Sequence, residues 1–313
     1  MAHYLSERQR CLIKRLLRTP MARTEWPTWL LIAFVHTSWW GLVLNYQALG
    51  AWLTLPPLIV ITALYMSLQH ELIHGHPTPW AKFNALLGYL PLAIWCPYPL
   101  YRDSHLKHHE DEQLTFPDID PESRYVTHRQ WPELTGWHQR FLRWNKTLAG
   151  RVALGPLLSI VGMARDAIRQ SLANEGQARR DWALHLLLCV ALLAGMHYFA
   201  GLSAWLYLLA VAYPAFGLSM VRSFYEHRPA EIPAQRCVLN EDRGPMRWLF
   251  LNNSLHLVHH DLPGLPWYLL PRVYRTSRRR YRQRNGEFVF ESYLSIAQRH
   301  LFRPIDDPVH PFR

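Results

Sequence analysis

Four long stretches that are almost free of charge constrain this chain more than any other feature. They run over residues 26–44 (WPTWLLIAFVHTSWWGLVL), 51–69 (AWLTLPPLIVITALYMSLQ), 182–200 (WALHLLLCVALLAGMHYFA) and 203–221 (SAWLYLLAVAYPAFGLSMV). At a helical rise of about 1.5 Å per residue each is long enough for a hydrocarbon core of about 30 Å. Within each pair the connection is short and uncharged. The expected fold class is therefore an all-α integral membrane protein with four transmembrane helices arranged as two hairpins.

Basic residues fix the expected orientation. They precede the first stretch (Arg8, Arg10, Lys14, Arg15, Arg18, Arg23), lie between the second and third, and follow the fourth from Arg272 to Arg284. The positive-inside rule puts all three regions and both termini in the cytoplasm, most simply at an inner (plasma) membrane. Residues 70–181 and 222–313 then form one helical cytoplasmic cap on the four spans, and residues 1–313 a single domain. Two shorter apolar stretches, 83–100 and 152–163, are broken by prolines or too short to span, and are expected to be interfacial or re-entrant. No apolar run with a cleavage site follows the N-terminus, so no removable signal peptide is expected. The net charge of +11 is explained by topology, and with no nucleic-acid-binding module in sight nucleic acid is not expected as a partner.

Eight of the eighteen histidines fall in three clusters: His70 and His74 in HELIH, His105, His108 and His109 in HLKHH, and His256, His259 and His260 in HLVHH. Spacings of three and four residues place imidazoles on one helical face. The first cluster ends the second span, the second lies in the cytoplasmic loop, and the third follows the fourth span, so all face one side of the membrane. Imidazole suits iron, zinc, copper or nickel. One tetrahedral zinc takes four ligands at most, so eight histidines imply two metals. The four cysteines, Cys11, Cys96, Cys189 and Cys237, form no CxxC pair, and neither a haem motif nor a dinucleotide fingerprint is present. Electrons must then be supplied from outside.

These boxes, HxxxH, HxxHH and a distant HxxHH around two pairs of spans, resemble the membrane fatty acid desaturase and hydroxylase superfamily over about residues 26–271, including the proline-rich LPGLPWYLLP after the third box. The resemblance implies two iron ions, molecular oxygen as co-substrate, a lipid or acyl-chain substrate, and a ferredoxin or similar donor with its reductase. It also implies a ninth ligand just after the last span, where His227 stands in RSFYEHR. No catalytic side chain beyond the metal ligands is implied. Such a centre suits an unactivated methylene, whose hydrogen is not acidic and is out of reach of carboxylate or Ser/His chemistry. Loss of a second hydrogen gives an alkene and capture of oxygen an alcohol, so desaturase and hydroxylase or ketolase readings stand side by side, on acyl lipid, carotenoid or alkane.

Outside the boxes, His76 and Asn252 are candidates for outer positions around the metals. Asp103, Glu110, Asp111 and Asp261, next to the boxes in sequence, are candidate carboxylate partners for the second ring nitrogens. His36, His185 and His197 lie inside spans and are expected to pack or to bond between helices. Two other classes compete: HELIH also reads as the HExxH of an intramembrane zinc protease with Glu71 as base, and clustered histidines also suit a membrane metal carrier. The basic run RTSRRRYRQR is expected to rest on anionic headgroups or to dock a partner.

Overall fold

The computed structural model describes residues 5–110, 112–172 and 175–313, so Asp111 lies outside the described residues. The chain is mostly helical. Among the described residues five helices, not four, are long and apolar enough to cross a membrane: α1 (Trp26–Leu44), α2 (Tyr46–Ile73), α4 (Leu148–Leu172), α5 (Gly176–Ala200) and α6 (Ala204–Arg222). Between α2 and α4 a shorter helix, α3 (Tyr98–Glu110), carries the second box. A positive φ of 73° at Gly50 breaks the start of α2 and leaves the span to begin at residue 51.

The extra candidate is α4. From residues 152–163 a short interfacial piece is expected, whereas the helix continues to Leu172 through Arg165, Asp166 and Arg169. At 100° per residue Arg151, Ser159, Asp166 and Arg169 fall on one face with Gly155 and Gly162, so this helix is amphipathic along its length. The other four long helices lack such a stripe.

The fold comprises two compact units. The apolar unit (Thr28–Asp103 and Val152–Met220) holds the segment from Gly88 to Cys96, which leaves helix Ala81–Gly88 and turns without regular structure. Four of its carbonyls are met by side chains. Gln69 Nε2 donates to Gly88 O (2.9 Å), the Tyr65 hydroxyl to Leu90 O (2.5 Å), the Tyr207 hydroxyl to Leu92 O (2.6 Å) and His185 Nε2 to Ile94 O (2.6 Å). Two further carbonyls, of Pro91 and Ala93, accept from Ile94 and Trp95 in the segment's own turns. Irregular backbone among spans is tolerated only when its polar groups are satisfied by protein, and here polar side chains of α2, α5 and α6 do it. In return Trp95 Nε1 donates to Ala212 O (3.0 Å), at the end of a π-helical stretch, Leu208–Ala212, inside α6. His185 thus bonds between elements, as a histidine within a span is expected to.

The histidine-rich unit comprises the described parts of Met1–Pro27, Ser104–Arg151 and Val221–Arg313. The N-terminal helix Glu7–Leu17 opens with a Ser6/Gln9 capping box and buries Ile13 and Leu16 in a core shared with Leu257, Val258, Leu265, Leu270 and Val273. The all-α expectation is modified here by two short strands, β1 (Leu239–Asn240) and β2 (Val289–Phe290), paired in parallel.

Candidate metal centre

Each histidine reaches the centre from a different kind of support. His105, His108 and His109 stand on α3, spaced three and four apart, so one face carries all three. His256, His259 and His260 stand on the short helix α7 (His256–Asp261), entered through Leu251 and Asn252 at positive φ (49° and 56°). His227 is on no helix. Residues 226–228 run antiparallel to 236–238, with the His227–Cys237 bridge flanked by Val238 N–H donating to Glu226 O (2.9 Å) and Arg228 N–H to Arg236 O (3.0 Å). That two-stranded brace aims one imidazole from an otherwise irregular segment.

In the histidine-rich unit these seven side chains form two groups. His108, His227, His256 and His260 offer ring nitrogens that all lie within 4.8 Å of one another, and so do His105, His109 and His259. Nε2 faces Nε2 at 3.0 Å for His108–His227 and His256–His227, and at 3.1 Å for His260–His256 and His259–His109. In the apolar unit, His70 and His74 close α2 one turn apart, with ring centroids separated by 4.8 Å. The buried Glu71 carboxylate is 3.7 Å from His70 Nδ1.

The outward nitrogens bear on what the inward ones can hold. His108 Nδ1 is 2.8 Å from Asp120 Oδ1, His105 Nδ1 2.9 Å from Glu122 Oε1, and His256 Nδ1 3.2 Å from Asn253 Oδ1 and 3.5 Å from Glu226 Oε1. These oxygens accept only, so Nδ1 holds the proton, and in a neutral ring Nε2 presents a lone pair. Lone pairs opposed at 3.0 Å repel unless a proton, as on His108 in the metal-free protein, or a metal lies between them. Two nitrogens at right angles on a metal at about 2.1 Å stand about 3.0 Å apart, which is the spacing observed. The donor set, all imidazole inside and carboxylate outside, fits a divalent metal in each group.

Electrostatics agree. Burial works against a charge on His108, but Glu122 and Asp120 outweigh it and raise its pKa to about 9. Burial and the charge on His108 push His227 down to about 3, and burial with neighbouring imidazoles holds His256 and His260 well below the usual range. Asp120 and Glu122 stay below the ordinary carboxylate range: burial acts against this, and His108 with, for Glu122, His105 overcomes it. The pocket thus concentrates negative charge one shell out and seeks a cation at its middle.

Adjacency in sequence does not select the outer partners. Asp103 is largely exposed and pairs with Arg102 at 2.7 Å. Asp261 pairs with Arg284. Asn252 donates to Trp267 O (3.2 Å), and His76 is buried with its backbone N–H on Glu71 O (3.2 Å). The carboxylates that meet ring nitrogens are Asp120, Glu122 and Glu226. The first two lie in DIDPES, a short distance past the second box, and Glu226 directly precedes His227. An acidic pair soon after a box, where the chain can turn back, is the signal that could have found them.

A helical protein with membrane-length apolar helices and two histidine groups able to hold metal is the class that these features define. The family model for fatty acid desaturase matches residues 48–292, a stretch that contains all nine histidines. The chain belongs to the fatty acid desaturase family. No curated protein matches it in a search of such sequences. It is accordingly an integral membrane oxidoreductase of the lipid acyl-chain class, with histidine groups able to hold metal.

Proposed function

We propose that this protein is an oxygen-dependent diiron desaturase that removes hydrogen from an unactivated C–H bond of a lipid acyl chain. The observation that carries the reading is the pair of inward-facing imidazole groups, with the outward nitrogens of His105, His108 and His256 held by carboxylate or amide oxygen. One iron is assigned to His108, His227, His256 and His260, and the other to His105, His109 and His259; His70 and His74 of the first box are added to the ligand set on the family resemblance. The irons would supply the oxidising chemistry with molecular oxygen. The chain's own part is to hold neutral imidazoles at fixed angles and to balance the metal charge with Asp120, Glu122 and Glu226.

Nine ligands on one side of a membrane require an even number of crossings between His109 and His227. With α5 and α6 as one hairpin, α4 must not cross. Its polar face of Arg151, Ser159, Asp166 and Arg169 suits a helix lying at the interface. The four-span topology, with termini and metal site in the cytoplasm of an inner-membrane protein, is part of this reading, as is an external ferredoxin-like donor.

The test is expression in a host lacking the activity, with mass spectrometry of total lipids and metal analysis of the purified protein. Two irons per chain and lipids lighter by two hydrogens are expected. Lipids heavier by one oxygen would replace desaturase by hydroxylase, lipids that gain one oxygen and lose two hydrogens would replace it by ketolase, and one zinc per chain with unchanged lipids would overturn the diiron reading in favour of the HExxH protease.

A further inference from the structure

A run of hydrogen bonds begins in the C-terminal tail, beyond the matched residues 48–292, and ends on His108. His310 is completely buried. The tail is laid against residue 126 by a parallel bridge with Val309: Val126 N–H donates to Pro308 O (3.0 Å) and His310 N–H to Val126 O (2.9 Å). The imidazole sits between Phe116 and Tyr125, with centroid separations of 4.5 and 5.5 Å. Its Nδ1 accepts the backbone N–H of Phe312 at 3.2 Å. The neutral ring therefore carries its proton on Nε2, which donates to Thr115 Oγ1 at 3.0 Å.

Thr115 is itself unusual. It is buried and has φ +78°, a conformation that β-branched residues rarely adopt. In that conformation its backbone N–H donates to Asp120 Oδ2 at 2.8 Å, while Asp120 Oδ1 meets His108 Nδ1 at 2.8 Å. Freed from His310, Thr115 relaxes toward negative φ, its N–H turns away, and Asp120 loses one of the donors that orient it.

We propose that His310 is a positioning residue for the metal group of His108, acting through Thr115 to hold Asp120 against that ring. The proposal rests on the two-metal reading above. It gives the C-terminal tail a role in metal binding distinct from simple packing: packing alone would affect both metal groups alike, whereas this linkage meets His108 directly and reaches His105 of the other group only at one remove, through the Glu122 N–H on Asp120 Oδ1.

The experiment is anaerobic titration of metal-free, full-length protein in detergent with ferrous iron, for wild type, Thr115→Val, His310→Leu and His310→Gln. In Thr115→Val and His310→Leu one of the two iron equivalents weakens by about 10–100-fold and the other by clearly less. His310→Gln, whose amide N–H takes the place of Nε2, recovers most of the loss. Thr115→Val keeps shape and branching, so it carries the test even if His310→Leu fails to fold. Equal weakening of both equivalents, wild-type affinity in both Thr115→Val and His310→Leu, or no recovery in His310→Gln overturns the proposal. A wild type that takes up no iron overturns the two-metal reading and this proposal together, whereas a two-iron wild type with unaffected variants overturns this proposal alone.

Discussion

Replacing Asp120 by asparagine tests the outer shell at its most loaded point. The Asp120 carboxylate accepts three hydrogens, from His108 Nδ1 (2.8 Å), Glu122 N (2.9 Å) and Thr115 N (2.8 Å). Asparagine has the same shape but one acceptor oxygen and one NH2. If its oxygen serves His108 and Glu122, its NH2 opposes the Thr115 N–H; turned over, the NH2 opposes the other two donors. At least one buried donor is left unmet in either orientation, at a cost of about 1–3 kcal/mol. With about 1.4 kcal/mol per factor of ten, that is roughly 5–150-fold in affinity if it falls on the metal-bound state. The range brackets the loss of about 10–100-fold typical when an outer partner of a ligating histidine is removed. Iron titration of the purified variant is the assay, with oxygen-dependent lipid oxidation measured in parallel. One iron equivalent weakened well beyond the other, with a matching loss of activity, is expected. Wild-type affinity at both equivalents would show that Asp120 does not tune the metal group and would refute the reasoning.

Two further outcomes follow from particular groups. In metal-free protein His108 is the protonated member of its group, with a pKa raised from 6.5 to about 9, whereas His227 has fallen to about 3. Since metal needs the neutral ring, iron uptake at this group should strengthen about tenfold per pH unit toward pH 9, with about one proton released; isothermal titration in buffers of different ionisation enthalpy counts that proton, and a pH-independent affinity argues against it. The sign for folding is opposite: a raised pKa stabilises fully below 6.5 and that contribution is lost as pH climbs through about 9, so the melting temperature of metal-free protein should fall over this window. In the apolar unit, His185→Leu removes the 2.6 Å donor to Ile94 O. That leaves the Ile94 carbonyl only the weak Cys189 thiol donor at 3.8 Å, and losing the stronger bond costs about 1–3 kcal/mol, so thermal unfolding in detergent should move down while iron stoichiometry stays at the wild-type value; an unmoved transition would mean that the thiol suffices for this carbonyl.

The sequence by itself determined what depends on short-range periodicity. Long uncharged runs specify spans, and spacings of three and four on helices specify which histidines share a face, so the HLKHH and HLVHH boxes are legible before any fold is known. The tertiary structure decided what depends on chain reversal. Asp103 and Asp261 stand next to their boxes, yet residues adjacent on a helix diverge by about 100°, and both turn to arginines, Arg102 and Arg284. Asp120, Glu122 and Glu226 reach the rings because a turn or an extended brace folds them back, and no local pattern encodes that approach. The segment from Gly88 to Cys96 reads as a broken apolar stretch, and only Tyr65, Gln69, Tyr207 and His185, from three helices distant in sequence, make its irregular backbone tolerable among spans. His310 is the limiting case: 202 residues beyond His108 in a tail without a motif, its link through Thr115 and Asp120 exists only once the tail has packed beside residue 126.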